Sequence, residues 1–284
     1  MTSVRKVSKI SSGTPTVDGG GVSLLRVIGQ NNRLDPFLML DEFRSDNPDD
    51  YIEGFPSHPH RGFETVTYML AGIMEHQDHK GNKGLLTPGS IQWMTAGRGI
   101  IHSEMPKQEN GLMQGFQLWI NASIGYYYKI TFKPRYQDIP PERIPVVSEV
   151  NGSKVKVLAG KYKDVTGPVS GIETEPIYLD VELVPGSTFS EEIPVGHSAF
   201  VYVFKGSCKF GPSQQQREVG QSNMAVLDGG AGETSMEAFS EKGCRFLLVS
   251  AKPINEPIEQ YGPFVMNTKQ ELMQAFDDYQ NGRF

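Results

Sequence analysis

Short apolar runs separated by turn-forming residues recur along almost the whole chain. Each run has five to eight residues, is rich in β-branched and aromatic side chains, and in most cases is bounded by glycine, proline, asparagine or aspartate. This pattern is typical of strands joined by tight turns. The predicted strands include Glu64–Leu70, Lys154–Leu158, Ile177–Val184, Ala199–Phe204 and Arg245–Val249. The sequence therefore predicts an all-β protein.

One segment at the C-terminus has helical periodicity instead. Thr268 and Glu271 stand three residues apart, as in a capping box, where each side chain accepts a hydrogen bond from a backbone amide at the helix start. Leu272, Phe276 and Tyr279 follow at helical spacing, and Gly282 is placed to end the helix. We expect this apolar stripe to pack on the body of the protein.

A weak internal repeat divides the chain near its midpoint. Tyr68 and Gly72 in the first half correspond to Tyr202 and Gly206 in the second, an offset of 134. Between the halves, Lys133–Pro145 contains four prolines and little periodicity, which favours a linker. We therefore predict two related domains, at residues 1–133 and 146–284, joined by a linker at residues 134–145.

Composition and charge narrow the class of protein. With 31 Gly and 19 Pro in 284 residues, turn-forming residues are in moderate excess, as many short strands require. The 27 basic and 33 acidic residues give a net charge of −6, which argues against direct nucleic-acid binding. Cys208 and Cys244 are too few for a disulfide framework and are expected as buried, reduced thiols.

The chain also shows no targeting or membrane-spanning pattern. The basic N-terminus is followed by no apolar run, and stretches such as Ala199–Phe204 are far shorter than the roughly 20 residues of a membrane helix. We therefore expect a cytoplasmic protein that does not bind membranes. In a eukaryote it would also occur in the nucleus.

The histidines are concentrated in the first half, where two pairs have the spacing of metal ligands. His58 and His60 are two residues apart, as are His102 and Glu104, so in strands each pair points to one face. Three imidazoles and one carboxylate would leave positions open on a six-coordinate ion, as oxygen-handling metals require. Glu64 shares the parity of His60 and is a rival carboxylate.

The remaining histidines have simpler interpretations. His76 and His79 fall in a segment rich in Gly, Asp and Lys and are expected in a solvated loop, whereas His197 is expected at a strand end. According to the repeat, the second half lacks this set of three histidines and one glutamate. His58, His60, His102 and Glu104 align with Glu192, Pro194, Glu233 and Ser235. The prediction is one metal site, in the N-terminal half.

At this point the residues resemble a known family, the pirins of the cupin superfamily. The resemblance is carried by Gly54–Tyr68, Gln92–Glu104, Gln117–Asn121, Pro134–Pro140 and Gly262–Phe284, and it covers almost the whole chain. The string Q-W-M-T-A-G-R-G-I-x-H-x-E is its most specific part. The resemblance implies two stacked jelly-roll-like barrels, an N-terminal metal-binding one and a C-terminal one without metal ligands, with a short C-terminal helix.

The resemblance also implies what the site holds. The family binds one iron through residues that match His58, His60, His102 and Glu104, which leaves Glu64 a supporting role. Spacing alone fits Fe, Mn, Co, Ni, Cu or Zn. The chain departs from the family in Ala122–Phe132, where the adjacent tyrosines Tyr126, Tyr127 and Tyr128 are expected to serve strand packing.

Two functions follow from this resemblance. The first is quercetin 2,3-dioxygenase-type cleavage of a flavonol by O2 at a single iron, with Glu104 as the general base for the substrate hydroxyl. The alternative is a non-catalytic, iron-dependent module that regulates a protein partner, as described for the nuclear pirin of animal cells. Purely structural use of the fold is disfavoured by the four-residue ligand set.

Overall fold

We analysed a computed structural model that describes residues 3–122, 129–230 and 232–284. The chain is mostly strand, which confirms the predicted all-β class. Four of the five predicted strands are present within two residues of their expected bounds, and the fifth, Ala199–Phe204, is part of a longer strand, Ser198–Phe210. The three adjacent tyrosines, Tyr126 to Tyr128, lie outside the described residues.

The described residues form two compact units. The first barrel comprises residues 14–141 and 254–284, and the second barrel comprises residues 3–13 and 142–253. In the first barrel the strands are β3 (Thr14–Asp18), β4 (Val22–Ile28), β5 (Phe37–Ser45), β6 (Phe55–His60), β7 (Phe63–Ala71), β8 (Met74–Asp78), β9 (Lys83–Leu86), β10 (Ile91–Thr95), β11 (Ile100–Pro106), β12 (Met113–Asn121), β13 (Arg135–Ile139), β25 (Glu259–Tyr261) and β26 (Phe264–Met266). In the second barrel they are β1 (Ser3–Val4), β2 (Lys6–Ser12), β14 (Val146–Ser148), β15 (Lys154–Ala159), β16 (Lys161–Tyr162), β17 (Val165–Thr166), β18 (Ile177–Leu183), β19 (Ser187–Glu192), β20 (Ser198–Phe210), β21 (Arg217–Gly220), β22 (Asn223–Asp228), β23 (Glu233–Ser240) and β24 (Cys244–Ala251).

These units differ from the continuous domains predicted from the sequence. Strands β1 and β2 pair with β23 and β22, so the N-terminal segment belongs to the second barrel. The C-terminal helix packs on β26 in the first barrel. The proline-rich segment is not a bare linker either, because β13 pairs with β10 before a short 3-10 helix at Pro141–Arg143. Such long-range pairings leave no mark on local sequence patterns.

Two sheets build the first barrel. One has seven strands in the order β13-β10-β7-β12-β5-β4-β3, and the other has four in the order β6-β11-β8-β9. A side-chain hydrogen bond from Thr67 on β7 to Glu104 on β11 joins them, so these faces line a common interior. An apolar cluster that includes Phe43, Met69 and Met113 fills one part of the first barrel.

The internal repeat appears as a shared pattern of strand pairing. In the first barrel β7 lies between β10 and β12, with Tyr68 opposite Ile91 and Phe116. In the second barrel β20 lies between β22 and β24, with Tyr202 opposite Met224 and Leu247. These pairings allow positions in the two barrels to be matched by register.

The C-terminal helix α1 (Lys269–Gln280) begins as predicted. The Thr268 hydroxyl accepts from the Glu271 amide, and the Glu271 side chain accepts from the Thr268 amide, which completes the capping box. Leu272 is buried and packs in a cluster with Phe264, while Phe276 packs at its edge. Among the described helices none has the length and apolar character needed to cross a membrane.

Candidate metal centre

Two antiparallel strands bring three histidines together. On β6 and β11, His58 lies directly opposite His102, and His60 lies opposite Ile100. His58 and His60 are separated by one residue of an extended strand, so their side chains project from the same face. The glycine-rich segment that precedes β11 includes Gly97 and Gly99, which both adopt positive φ, at 51° and 137°. That backbone path suits glycine and leads directly into the strand that carries His102.

The ring nitrogens of these histidines converge. The Nε2 atoms of His58 and His60 are 3.0 Å apart, and one nitrogen from each of His58, His60 and His102 lies within 4.8 Å of the others. The His58 Nδ1 atom is 2.7 Å from the carbonyl oxygen of Pro56. A proton on Nδ1 donates to that carbonyl and leaves the Nε2 lone pair directed at the cluster, as in metal-binding histidines.

Burial keeps two of these rings neutral. It lowers the pKa of His60 well below the usual 6.5, and the neighbouring His58 acts in the same direction, whereas the Pro263 carbonyl acts against it. Burial also lowers the pKa of His102 well below 6.5, with smaller contributions from His60 and His58. Neither ring nitrogen of His102 has a hydrogen-bond partner among the described residues. Buried, neutral imidazoles with unpaired nitrogens are suited to a metal ion.

Glu104 follows His102 by two residues on β11, on the same face of the strand, and its carboxylate is hydrogen-bonded to other residues. Its Oε1 accepts a hydrogen bond from Thr67 Oγ1 at 2.9 Å, and its Oε2 accepts from Gln117 Nε2 at 3.1 Å. The side chain is almost fully buried. The structure thus brings together His58, His60 and His102, whereas the carboxylate predicted as the fourth ligand is held by a hydroxyl and an amide.

Glu64, the rival carboxylate, belongs to a different part of the barrel. It is buried and accepts hydrogen bonds from Trp93 Nε1 and from Thr95 Oγ1. It is not part of the converging group of histidines. These contacts fit the supporting role that the resemblance implied.

The prediction for His76 was wrong. His76 lies on β8, is buried, and its Nε2 is 2.9 Å from Asp138 Oδ2. Strand pairing with β9 and β11 carries this residue into the barrel although its sequence neighbours resemble a loop. His79 does lie in an exposed turn, and His197 does directly precede a strand, β20, as expected. Both cysteines are free and buried, also as expected.

Sequence reasoning missed the polar residues that lie around Glu104. Thr67, Gln92 and Gln117 face one another across β7, β10 and β12. In the second barrel the matching positions are Val201, Ala225 and Leu248, paired in the same way and all part of its apolar core. Comparing the halves of the repeat at these positions would have identified the set.

The second barrel holds no equivalent of the histidine cluster among its described residues. The register of the paired strands changes one position of the alignment between the two halves. Glu192 lies opposite Ser235 as His58 lies opposite His102, so Ser235 rather than Glu233 is the counterpart of His102. At this end the buried Arg5 guanidinium donates to the carbonyls of Pro194 and His197.

The C-terminal segment supports the cluster from the side. Arg61, directly after His60, is buried and donates to Asp278 of α1 at 2.7 Å. Its guanidinium also lies over the Phe284 ring, 4.4 Å from the ring centre, and donates to the Arg98 carbonyl at 2.6 Å. These contacts fix the backbone between His60 and the seven-stranded sheet.

Comparison with known proteins places this site in a family. A family model described as Pirin matches residues 21–120, and one described as Pirin C-terminal cupin domain matches residues 178–284. A Pseudomonas aeruginosa protein named "Putative quercetin 2,3-dioxygenase" is 49% identical over 289 residues, covering 99% of each chain. The human protein named Pirin is 39% identical over 286 residues, covering 100% of this chain and 95% of its own.

Solved structures of related proteins have the same fold. A structure of quercetin 2,3-dioxygenase from Acinetobacter baumannii superposes with a TM-score of 0.90 at 32% identity, covering 99% of both chains. A bacterial pirin from Escherichia coli, solved in complex with nickel(II), has a TM-score of 0.63 at 22% identity, covers 89% of this chain and 100% of its own, and shows the shared fold. The chain therefore belongs to the pirin family, whose two barrels are of the cupin type.

Proposed function

We propose that this protein is a quercetin 2,3-dioxygenase-type enzyme that cleaves the ring of a flavonol with O2 at a single iron. The observation that carries the proposal is the convergence of three imidazole nitrogens within 4.8 Å beside a buried carboxylate. A purely structural core has no need of such a cluster, since the second barrel has Glu192, Pro194 and Ser235 at the corresponding positions. The names of several relatives support the flavonol as substrate class.

The donor set fits a metal ion. His58, His60 and His102 would hold it, because burial keeps two of these rings neutral and the Pro56 carbonyl orients the third. Imidazole suits iron and the neighbouring divalent metals, and the family resemblance favours iron. When bound, the metal would supply Lewis-acid chemistry for the enol oxygens of a flavonol and for O2.

Glu104 has the position of a proton acceptor and can also serve as a fourth ligand. Its carboxylate is buried on the face of β11 that also carries His102, so it can take the proton from the flavonol 3-hydroxyl. Thr67 and Gln117 donate to its oxygens. These two residues therefore set the direction in which the carboxylate points and keep it ready to accept.

Oxygen uptake tests the proposal directly. Iron-loaded wild-type protein is mixed with quercetin in aerated buffer, and O2 consumption is followed with an electrode. We expect turnover that is abolished in His58→Ala, which removes a proposed metal ligand, and reduced at least about 100-fold in Glu104→Gln, which removes the proposed proton acceptor. His79→Ala changes an exposed turn histidine and serves as the matched control.

The contrary results are equally definite. Quercetin turnover that persists in His58→Ala would refute the role of the histidine cluster. Absence of O2 uptake by the iron-loaded wild type would refute the reaction itself. Metal-dependent capture of a protein partner, with no turnover, would instead support the regulatory alternative.

A further inference from the structure

A second polar group in the first barrel joins two buried side chains, His76 and Gln92, to Asp138, whose side chain is 42% exposed. Asp138 Oδ2 lies 2.9 Å from His76 Nε2, and its Oδ1 accepts from Gln92 Nε2, also at 2.9 Å. Burial alone raises the pKa of Asp138, but the hydrogen bonds from His76 and Gln92 outweigh it and the net pKa is lowered. Asp138 is therefore a carboxylate that fixes two neighbouring side chains through their N–H groups.

This arrangement leaves two acceptor atoms unpaired. With its proton on Nε2, the His76 ring has a lone pair at Nδ1, and the Gln92 amide has its carbonyl oxygen Oε1. Both residues are only 1% exposed, and neither atom has a hydrogen-bond partner among the described residues. A buried acceptor without a partner is costly, so atoms of this kind mark places where a donor binds.

Both acceptors begin at positions that adjoin the proposed proton acceptor. Gln92 lies directly opposite Thr67, the residue that donates to Glu104. His76 lies directly opposite Glu104 itself on the neighbouring strand. Directly opposed residues in antiparallel strands have Cβ atoms about 5 Å apart, so both side chains line the same interior as the histidine cluster.

The fold does not require polar residues at these positions. In the second barrel, Ala225 occupies the position of Gln92, paired with Val201 as Gln92 is with Thr67. Phe210 and Ala238 pair there as His76 and Glu104 do in the first barrel. All four of these second-barrel residues belong to one apolar cluster. The fold therefore does not require Gln92 and His76 to be polar, which favours a role for this pair in binding a ligand.

We propose that Gln92 and His76, oriented by Asp138, form a hydroxyl-binding subsite next to the metal centre. The ligand it takes is a hydroxylated aromatic molecule that donates hydrogen bonds from a hydroxyl other than the one that loses its proton to Glu104. The inference rests on the proposed function and adds a specificity to it: flavonols with further ring hydroxyls bind better than the parent 3-hydroxyflavone.

Gly84 packs tightly against His76 and Asp138. It lies opposite His76 on β9, and a Cβ atom there would be 2.1 Å from His76 Nε2 and 2.6 Å from Asp138 Oδ2. No side chain larger than hydrogen fits without separating His76 from Asp138. Gly84→Ala therefore disturbs the subsite from behind without placing a new group among the histidines.

The test compares two flavonols on one variant. Binding of quercetin and of 3-hydroxyflavone, which has only the 3-hydroxyl, is measured by calorimetry without oxygen on iron-loaded protein. Gln92→Leu should weaken quercetin binding about tenfold, the worth of one lost hydrogen bond, and leave 3-hydroxyflavone within about twofold. Gly84→Ala should show the same selectivity. Gln114→Leu is the matched control, because that amide donates to Glu42 instead.

The outcomes separate this inference from the proposed function. Equal weakening of both flavonols, or of neither, in Gln92→Leu would overturn the subsite while the wild type still bound its substrate. Failure of the wild type to bind either flavonol would overturn the proposed function and the subsite together.

Discussion

Replacing Thr67 by valine tests the part of the proposed mechanism that depends most on this chain's own residues. Valine has nearly the shape of threonine but cannot donate, so Glu104 Oε1 loses the 2.9 Å hydrogen bond from the Thr67 hydroxyl. Hydrogen bonds to charged groups contribute about 1.5–3 kcal/mol. Since 1.4 kcal/mol corresponds to a factor of ten, we expect kcat/KM for quercetin to fall about 10- to 100-fold.

The fold itself should tolerate this change. Val201 occupies the matching position in the second barrel, where it is fully buried in the apolar core. The Tm of Thr67→Val should therefore remain close to that of the wild type, and bound iron should remain stoichiometric because the histidines are untouched.

Steady-state oxygen uptake with iron-loaded protein is the assay. Thr67→Ser restores the hydroxyl and should recover most of the activity. Thr95→Val is the matched control, because that hydroxyl donates to Glu64, away from the histidine cluster. Activity of Thr67→Val within twofold of the wild type, or an equal loss in Thr95→Val, would refute the positioning role.

Three further predictions follow from the contacts of the first barrel. Burial lowers the pKa of Lys129 from 10.5 to about 8. Between these pH values the unfolded chain binds a proton that the folded chain lacks. The free energy of unfolding therefore rises with pH in this range, by up to about 3 kcal/mol. Urea unfolding should show this rise in the wild type but not in Lys129→Met, and parallel profiles would contradict it. Arg61→Met removes a buried partner of Asp278 and should lower the free energy of unfolding by about 2 kcal/mol, or the Tm by roughly 5 °C. This is less than for a fully buried pair, because Asp278 keeps its contact with Arg283 and is partly exposed to solvent. An unchanged Tm would show that this contact does not support the fold. Fe(II) at 100 times its Kd should stabilise the folded protein by about 2.7 kcal/mol, which a chelator should reverse. The measurement is the rise in Tm, which should be lost in His58→Ala. A rise that persists in that variant would place the metal elsewhere.

Local patterns predicted the secondary structure well because the relevant signals lie within a few residues. Short runs rich in β-branched and aromatic residues identified strands such as Ile177–Val184, observed as Ile177–Leu183. The Thr268 to Glu271 spacing identified the start of α1. The two-residue spacing of His58 and His60 placed both on one face of a strand for the same reason. These features follow from the geometry of single elements.

Features that depend on pairing between distant segments could not be read in this way. The assignment of β2 to the second barrel depends on its pairing with β22, more than 200 residues away. The burial of His76 depends on its place between β9 and β11, although the surrounding sequence resembles a turn. The hydrogen bonds from Thr67 and Gln117 to Glu104 join three strands, and no spacing rule connects them.

The metal content of the purified protein tests the central claim most directly. Wild-type protein, its His58→Ala, His60→Ala, His102→Ala triple variant and the His79→Ala control are loaded with iron, desalted and measured by mass spectrometry of the metal. The account predicts one ion per chain in the wild type and the control and none in the triple variant. Two tightly bound ions per chain, or one ion retained by the triple variant, would contradict it.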